Sequence, residues 1–204
     1  MLKNVVFDIG QVLVDFGYRK MVRAKGYCGE MEDIIAEATI LSPYWKEMDR
    51  GVWGREKCLE KFIELAPDMA DDIHKCFDNL EGICQKRETS IPWIEDLKKR
   101  GLKVYYLSNY PREVIEEDPV PIDFVPHCDG GVFSCDVNLL KPDPEIYKTL
   151  LNKYGLKPEE TVFVDDLPEN VSAAVSLGIN GIVFTSYEEA NASILRLQEN
   201  LQKQ

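Results

Sequence analysis

Residues 161–170 read TVFVDDLPEN, and this stretch sets the fold class. A short apolar run, 161–165, ends in two acids, Asp165 and Asp166, and Pro168 opens the next segment. An unbroken apolar run of this length is the pattern of a strand covered on both faces, as in a parallel sheet. Proline is pre-organised for the first position of a helix, so 168–177 is expected to be helical and to stop before Gly178. In open parallel sheets ligands bind beyond the carboxyl ends of the strands. An acid pair at that point is therefore a candidate site.

The same alternation extends in both directions. Downstream, 181–184 reads as a strand. Ser186 and Glu189 form a capping box for a last helix carrying Ile194, Leu197 and Leu201. Upstream, Asp143 as N-cap and Pro144 at the first position open a helix that Gly155 ends. Before it come a strand at 128–133, a short helix at 111–117, a strand at 103–107 and a helix at 92–100 closed by Gly101. Residues 4–8 are a further apolar run ending in Asp8. Strands alternating with helices imply a parallel sheet with right-handed crossovers. The expected fold class is α/β: a Rossmann-like parallel sheet with helices on both faces.

Residues 17–88 break the pattern. They carry helical stripes and no convincing strand. Met31, Ile34, Ile35 and Ala38 follow helical spacing, as do Leu59, Phe62, Ile63 and Ala66, and Ile73, Cys76, Phe77 and Leu80. These are expected core faces of a small bundle. The expected organisation is a core of 1–16 and 89–204 with an inserted helical cap, 17–88.

Polar groups collect at the strand ends: Asp8 followed by Gly10, then Ser108 and Asn109, then Asp165 and Asp166, with Lys141 in the loop before the Asp143 cap. Oxygen-rich carboxylate surroundings suit Mg²⁺. A carboxylate is ionised at neutral pH and can act as a nucleophile. A lysine with hydroxyl and amide donors stabilises the oxygens of a transferring phosphoryl group. Each group alone is ordinary turn or capping chemistry; their order and joint placement point to phosphoryl transfer.

The ordered set VVFDIGQVLVD, YYLSN, LLKPDPEIY and VFVDDLPENVSAA resembles the haloacid dehalogenase superfamily, over 1–16 and 89–187. The FDxGxV opening and FxDD motif are similar to a subgroup of bacterial α-glucose-1-phosphate phosphatases. The resemblance implies that Asp8 forms an aspartyl-phosphate and that Ser108 and Asn109 hold the phosphoryl group. It implies that Lys141 bridges phosphate and nucleophile. It also implies that Asp166 ligates the metal directly, with Asp165 behind a water and the Gly10 carbonyl as a further ligand. The helical insertion is similar to that family's C1 cap. The implied activity is a Mg²⁺-dependent phosphatase of small phosphorylated metabolites, with sugar phosphates the preferred class.

Gly10 departs from the family pattern, which places there a second Asp that protonates the leaving group. Three consequences stay open. Substrates with good leaving groups, such as anomeric phosphates, need less protonation. A cap residue or a water replaces the acid, with Asp15, Asp49 and His74 as candidate residues. Or the protein is a catalytically weak phosphate-binding domain. The dehalogenases also lack that Asp and release halide without a proton, so 2-haloacid dehalogenation is a further alternative. The paired acids speak against it, because a dense carboxylate site repels a haloacid.

The cap should exclude water as lids do. Its Trp45 and Trp53 serve either as packing or as a face for a sugar, and Tyr18 and Arg19 either reach substrate or form a hinge or surface ion pair. His74 and His127 are read as non-functional. A net charge of −12 argues against nucleic acid and anionic membranes as partners. The six cysteines show no C-x-x-C pair, which points to reduced thiols and a cytoplasmic protein. No membrane span or signal peptide is expected.

Overall fold

The first strand, β1 (Asn4–Phe7), is buried at all four positions, as an apolar run with a neighbour on every side must be. In the computed structural model, which describes residues 1–202, a two-stranded ribbon with a helical block between its strands comes after it: β2 (Val14–Phe16), α1 (Tyr18–Ala24), α2 (Glu30–Ala38), α3 (Trp45–Asp49), α4 (Arg55–Leu65), α5 (Ala70–Phe77) and β3 (Cys84–Lys86). The chain then alternates: α6 (Ser90–Lys99), β4 (Lys103–Ser108), α7 (Arg112–Glu117), β5 (Gly130–Phe133), α8 (Ser134–Val137), α9 (Pro144–Tyr154), β6 (Thr161–Asp165), α10 (Pro168–Ser176), β7 (Asn180–Val183) and α11 (Tyr187–Gln202).

The sheet has the order β5-β4-β1-β6-β7, every neighbour parallel. Phe7 stands opposite Tyr106 on one side and Val164 on the other. That register brings Asp8, Ser108 and Asp165, just beyond these positions, out at the same edge. The chain leaves β1 for β4 on one side and later crosses to β6 on the other, so the crevice at β1 is the topological switch point.

Strand side chains alternate between two cores. Val5, Phe7, Val104, Val162 and Val164 pack with Trp93, Ile94 and Leu97 of α6 and Ala190 and Ile194 of α11. Val6, Tyr105, Leu107 and Phe163 face the opposite side with Ile146, Tyr147 and Leu150 of α9 and Ala174 of α10. Trp93 ties the first layer together: its ring centroid lies 4.5 Å from Phe7 and 5.1 Å from Tyr187, and its indole N–H donates to Asn191 at 3.0 Å. Gly131 on β5 is required sterically, since a Cβ there would lie 2.4 Å from the Tyr106 ring. The helices on both faces are as the sequence pattern predicts. Of the last helix's apolar stripe, the side chain of Leu201 lies outside the described residues.

The helical block differs from expectation in three ways. First, residues 17–88 contain a strand: β3 pairs antiparallel with β2, Phe16 opposite Cys84, and closes the block where it begins and ends. A run as short as Cys84–Lys86 shows no period to read. Second, Met31 and Ile34 are exposed, while Glu32 of the same helix is buried. Arg19 and Arg23 hold the Glu32 carboxylate at 2.9 and 2.7 Å, and this pairing rotates α2 away from the face its apolar stripe suggests. Arg19 is thus the surface ion pair. Third, Leu80 is buried beyond the end of α5 rather than on it. Among smaller shifts, β5 begins at Gly130 instead of 128, and α8 appears where no helix is expected.

Candidate active site

β1 delivers Asp8 into the switch-point crevice, buried and surrounded by donors. Ser108, at the end of β4, donates its hydroxyl to Asp8 Oδ1 at 2.8 Å. Lys141 Nζ reaches the same oxygen at 2.7 Å and Asp165 Oδ2 at 2.6 Å. Lys141 and Asp165 are 5% and 0% exposed, so this ion pair is shielded from solvent.

The Asn109 side chain holds the lysine loop in both directions: its amide N–H donates to the Lys141 carbonyl at 3.1 Å and its oxygen accepts the Lys141 N–H at 2.9 Å. Sequence reading gave Asn109 to phosphate; the structure gives its side chain to the backbone of Lys141.

The adjacent acids differ sharply. Asp165 uses both oxygens: Oδ1 accepts the Leu167 N–H at 2.8 Å and the Asn170 amide at 3.0 Å, and Oδ2 accepts Lys141 and Asn170. Asp166 receives no ion pair or side-chain hydrogen bond among the described residues and lines the cavity. Asn170 was not singled out from sequence. Its signal is its place one turn into the helix after the acid pair, where its amide reaches back to the strand end.

Oxygens of Asp8, Asp165 and Asp166 all lie within 4.8 Å of one another. Burial pushes the Asp8 carboxyl up and Asp165 adds to this, while Lys141 and Ser108 oppose it. Burial, then Asp8 and Asp165, also raise Asp166, to about 6. Burial alone would lower Lys141, but Asp8 and Asp165 outweigh it and hold its ammonium above the ordinary lysine range. Three carboxylates meet one ammonium, so the cluster carries surplus negative charge that a divalent cation bound by oxygen would balance. The residues fit Mg²⁺, with Asp166 free to ligate directly and Asp165 already committed to protein donors.

A cavity of about 430 Å³ opens from this cluster. Gly10 and Gln11 line it on one side; Ile40, Leu41, Trp45 and Asp49 come from the helical block and Tyr110, Val114 and Leu167 from the core. Of the residues considered as replacements for an acid at position 10, Asp49 is in the wall. Asp15 is exposed and bound by Arg87 at 2.7 Å, and His74 is exposed on α5; neither lines the cavity. Trp45 both packs near Phe77 and faces the cavity, whereas Trp53 stacks on Tyr44 with 5.9 Å between centroids. His127 binds Glu95 at 2.8 Å, away from the cavity.

A sequence model of the haloacid dehalogenase-like hydrolases matches residues 2–178. The chain belongs to this family. As a haloacid dehalogenase-like hydrolase it has several curated relatives. Acyl-CoA dehydrogenase family member 10 of Mus musculus is 30% identical over 193 residues, covering 88% of this chain but only 18% of that protein. The sesquiterpene phosphatase astK of Aspergillus oryzae is 27% identical, covering 90% of each. The D-ribitol-5-phosphate phosphatase of Bacteroides thetaiotaomicron is 28% identical, covering 87% of this chain and 89% of that one. The haloacid dehalogenase-like fold is shared with a HAD family enzyme of Bacteroides thetaiotaomicron solved with magnesium and inorganic phosphate: TM-score 0.71, 20% identity, 93% of this chain and 99% of that one. No helix among the described residues is long and apolar enough to cross a membrane.

Proposed function

We propose that this hydrolase is a Mg²⁺-dependent phosphomonoesterase of small phosphorylated metabolites, with Asp8 as nucleophile and an aspartyl-phosphate as intermediate. The observation that carries the reading is the buried Lys141 set between Asp8 and Asp165, with Asp166 left free beside them. Asp8 attacks phosphorus. Lys141 and Ser108 hold the nucleophile in place and offer their protons to the phosphoryl oxygens. Asn109 fixes the Lys141 loop from beside the phosphoryl position. Asp166, Asp8 and the Gly10 carbonyl are the groups that would hold Mg²⁺, with Asp165 behind them. The metal, when bound, withdraws charge from the phosphate and lets two anions approach. Support comes also from relatives named as phosphatases that match this chain nearly end to end. The surplus of carboxylates weighs against haloacid substrates.

In this reading residues 17–88 act as a cap over a core of 1–16 and 89–204, and the cavity between Asp8 and Ile40, Leu41 and Trp45 is where it meets the substrate. Six unpaired cysteines suit a reducing compartment, and we place the protein in the cytoplasm.

Sugar phosphates are the class favoured by the sequence, in line with the relative named for D-ribitol 5-phosphate. A second reading is favoured by the cavity walls. Phe16, Ile40, Leu41, Trp45, Val114 and Leu167 offer no hydrogen bonds to a polyol except through the Trp45 indole, and they suit the monophosphate of an apolar alcohol. The relative named as a sesquiterpene phosphatase is in line with that class.

The test is phosphate release from a panel of sugar phosphates, prenyl and alkyl monophosphates and nucleotides, with Mg²⁺ and with EDTA, beside halide release from 2-haloacids. Metal-dependent phosphate release is expected. Metal-independent halide release would overturn the reading.

A further inference from the structure

An ester of an ordinary alcohol departs poorly unless a proton reaches its oxygen, and positioned proton transfer is worth about 10² to 10⁴ in rate. Several side chains in the cavity wall carry exchangeable protons. Asp8, Lys141 and Asp166 are engaged at the phosphate and cation end. The Tyr110 hydroxyl donates to the buried Cys84 Sγ at 3.3 Å, and burial pushes that thiol up to about 12. Lys46 is exposed. Asp49, half-buried where α3 ends, is the carboxyl the helical block brings to the wall.

The Asp49 turn is fastened to the core. Ser134 Oγ donates to the Asp49 carbonyl and accepts the Tyr110 N–H at 2.9 Å, so one hydroxyl joins this turn to the loop after Ser108. The Asn138 amide donates to the Arg50 carbonyl at 2.9 Å. Gly51 has a φ of +70°, and a Cβ there would stand 2.8 Å from the Cys135 carbonyl oxygen. The groups acting on the Asp49 carboxyl are Lys141 and Asp8 from the core and Lys46 and Trp45 from its own helix; α4 brings Cys58. Burial outweighs Lys141 and the Trp45 indole and pushes this carboxyl up to about 7, where a group both gives and takes protons at neutral pH.

We propose that Asp49, held over the cavity by Ser134 and Asn138, is the proton donor and acceptor of this site, in place of the side chain that position 10 lacks. The inference rests on the phosphomonoesterase reading. In the first step an Asp8 oxygen bonds phosphorus as the bond from phosphorus to the alcohol oxygen breaks. That oxygen keeps the electron pair, takes the Asp49 proton and leaves as the alcohol. In the second step the Asp49 carboxylate takes a proton from water while the water oxygen bonds phosphorus. The Asp8–phosphorus bond breaks with its electron pair returning to Asp8, and phosphate departs with Asp49 protonated again.

The experiment compares wild type, Asp49→Asn, Asp8→Asn and Asp49→Asn with Gly10→Asp, all as the full chain with Mg²⁺. Rapid-quench kinetics follow p-nitrophenyl phosphate, whose phenolate leaves without a proton, and a simple alkyl phosphate. Acid-trapped phosphoprotein is measured alongside. Asp49→Asn is expected to give a burst of about one p-nitrophenolate per chain and to accumulate phosphoprotein, because only its second step is impaired. Its steady-state turnover falls about 10² to 10⁴-fold, as does alkyl phosphate hydrolysis, which shows no burst. Adding Gly10→Asp restores at least about tenfold of the loss. Asp49→Asn cycling at the wild-type rate on the alkyl ester would overturn the assignment. So would loss of the burst together with turnover, which is what a structural role predicts. A burst that survives in Asp8→Asn would instead sink the underlying reading of the site, and this inference with it.

Discussion

Ser108 donates its hydroxyl to Asp8 Oδ1 at 2.8 Å, joining the ends of two adjacent strands that are 100 residues apart in the chain. Lys141 binds the same oxygen, so the two donors orient the carboxylate. Asp8→Asn keeps the shape but not the nucleophilic charge. Turnover should fall by about 10³-fold or more, with the thermal midpoint unchanged or raised because repulsion from Asp165 is relieved. Activity within tenfold of wild type would remove Asp8 from the mechanism.

Gly10 has nothing within 4 Å of an added Cβ, so Gly10→Asp should fold normally. Because Asp49 already stands in the wall, the gain in alkyl phosphate hydrolysis should stay below about 10²-fold, and it should exceed the gain on anomeric phosphates, which need less protonation. Equal gains on both, measured as kcat/KM, would defeat the leaving-group argument.

Lys141 neutralises two buried carboxylates at once. Lys141→Met leaves them facing each other, and breaking a buried pair in this way costs about 3–5 kcal/mol. Urea unfolding in EDTA should show that loss, and Mg²⁺ should recover part of it. A variant as stable as wild type in EDTA would mean that the acids are not both ionised.

Mg²⁺ should raise the thermal midpoint of the wild-type protein, since a ligand present at about a hundred times its Kd adds about 2.7 kcal/mol. Asp166→Asn should abolish the shift while leaving the melting point in EDTA unaltered or raised, because among the described residues no side chain binds Asp166 and its repulsion with Asp8 and Asp165 is relieved. A shift that persists in this variant would move the cation elsewhere.

Stability should also report on Asp49. Its folded-state value, about 7, lies above the ordinary carboxyl value of about 3.9. Between those values the native state binds more protons than the unfolded one, so the carboxyl stabilises the fold at low pH and that contribution is lost as pH rises toward about 7. Asp49→Asn should flatten this slope in urea titrations performed in EDTA. An unchanged slope would assign it to other groups.

The sheet was legible because its strands are short apolar runs, and helix signals follow three of them, β4, β6 and β7: Pro111, Pro168 and the Ser186 capping box. Thr161–Asp165 needed no tertiary information. Asp8, Ser108, Asp165 and Asp166 were singled out for the same reason, since topology collects strand ends; Lys141 lies in the loop before α9 and was singled out by the residues around it. The features that could not be read depended on partners in other elements. Glu32 is buried because Arg19 and Arg23 meet it, and nothing in EMEDIIAEA announces that. The Asn109 amide could face phosphate or backbone, and the position of the Lys141 loop decides. Asp49 was one of three candidate acids. The hydroxyl of Ser134, 85 residues away, brings its turn to the core.

The contact of Gly51 with the Cys135 backbone has a consequence for how this enzyme could diverge. With no room for a methyl group between this turn and the core backbone, a larger residue at position 51 would have to push the turn off the core. New substrates are more readily accommodated at Leu41 and Leu167, which line the cavity and are 54% and 45% exposed. Specificity would then drift through two pliant positions, while the turn that carries Asp49 stays packed on the core.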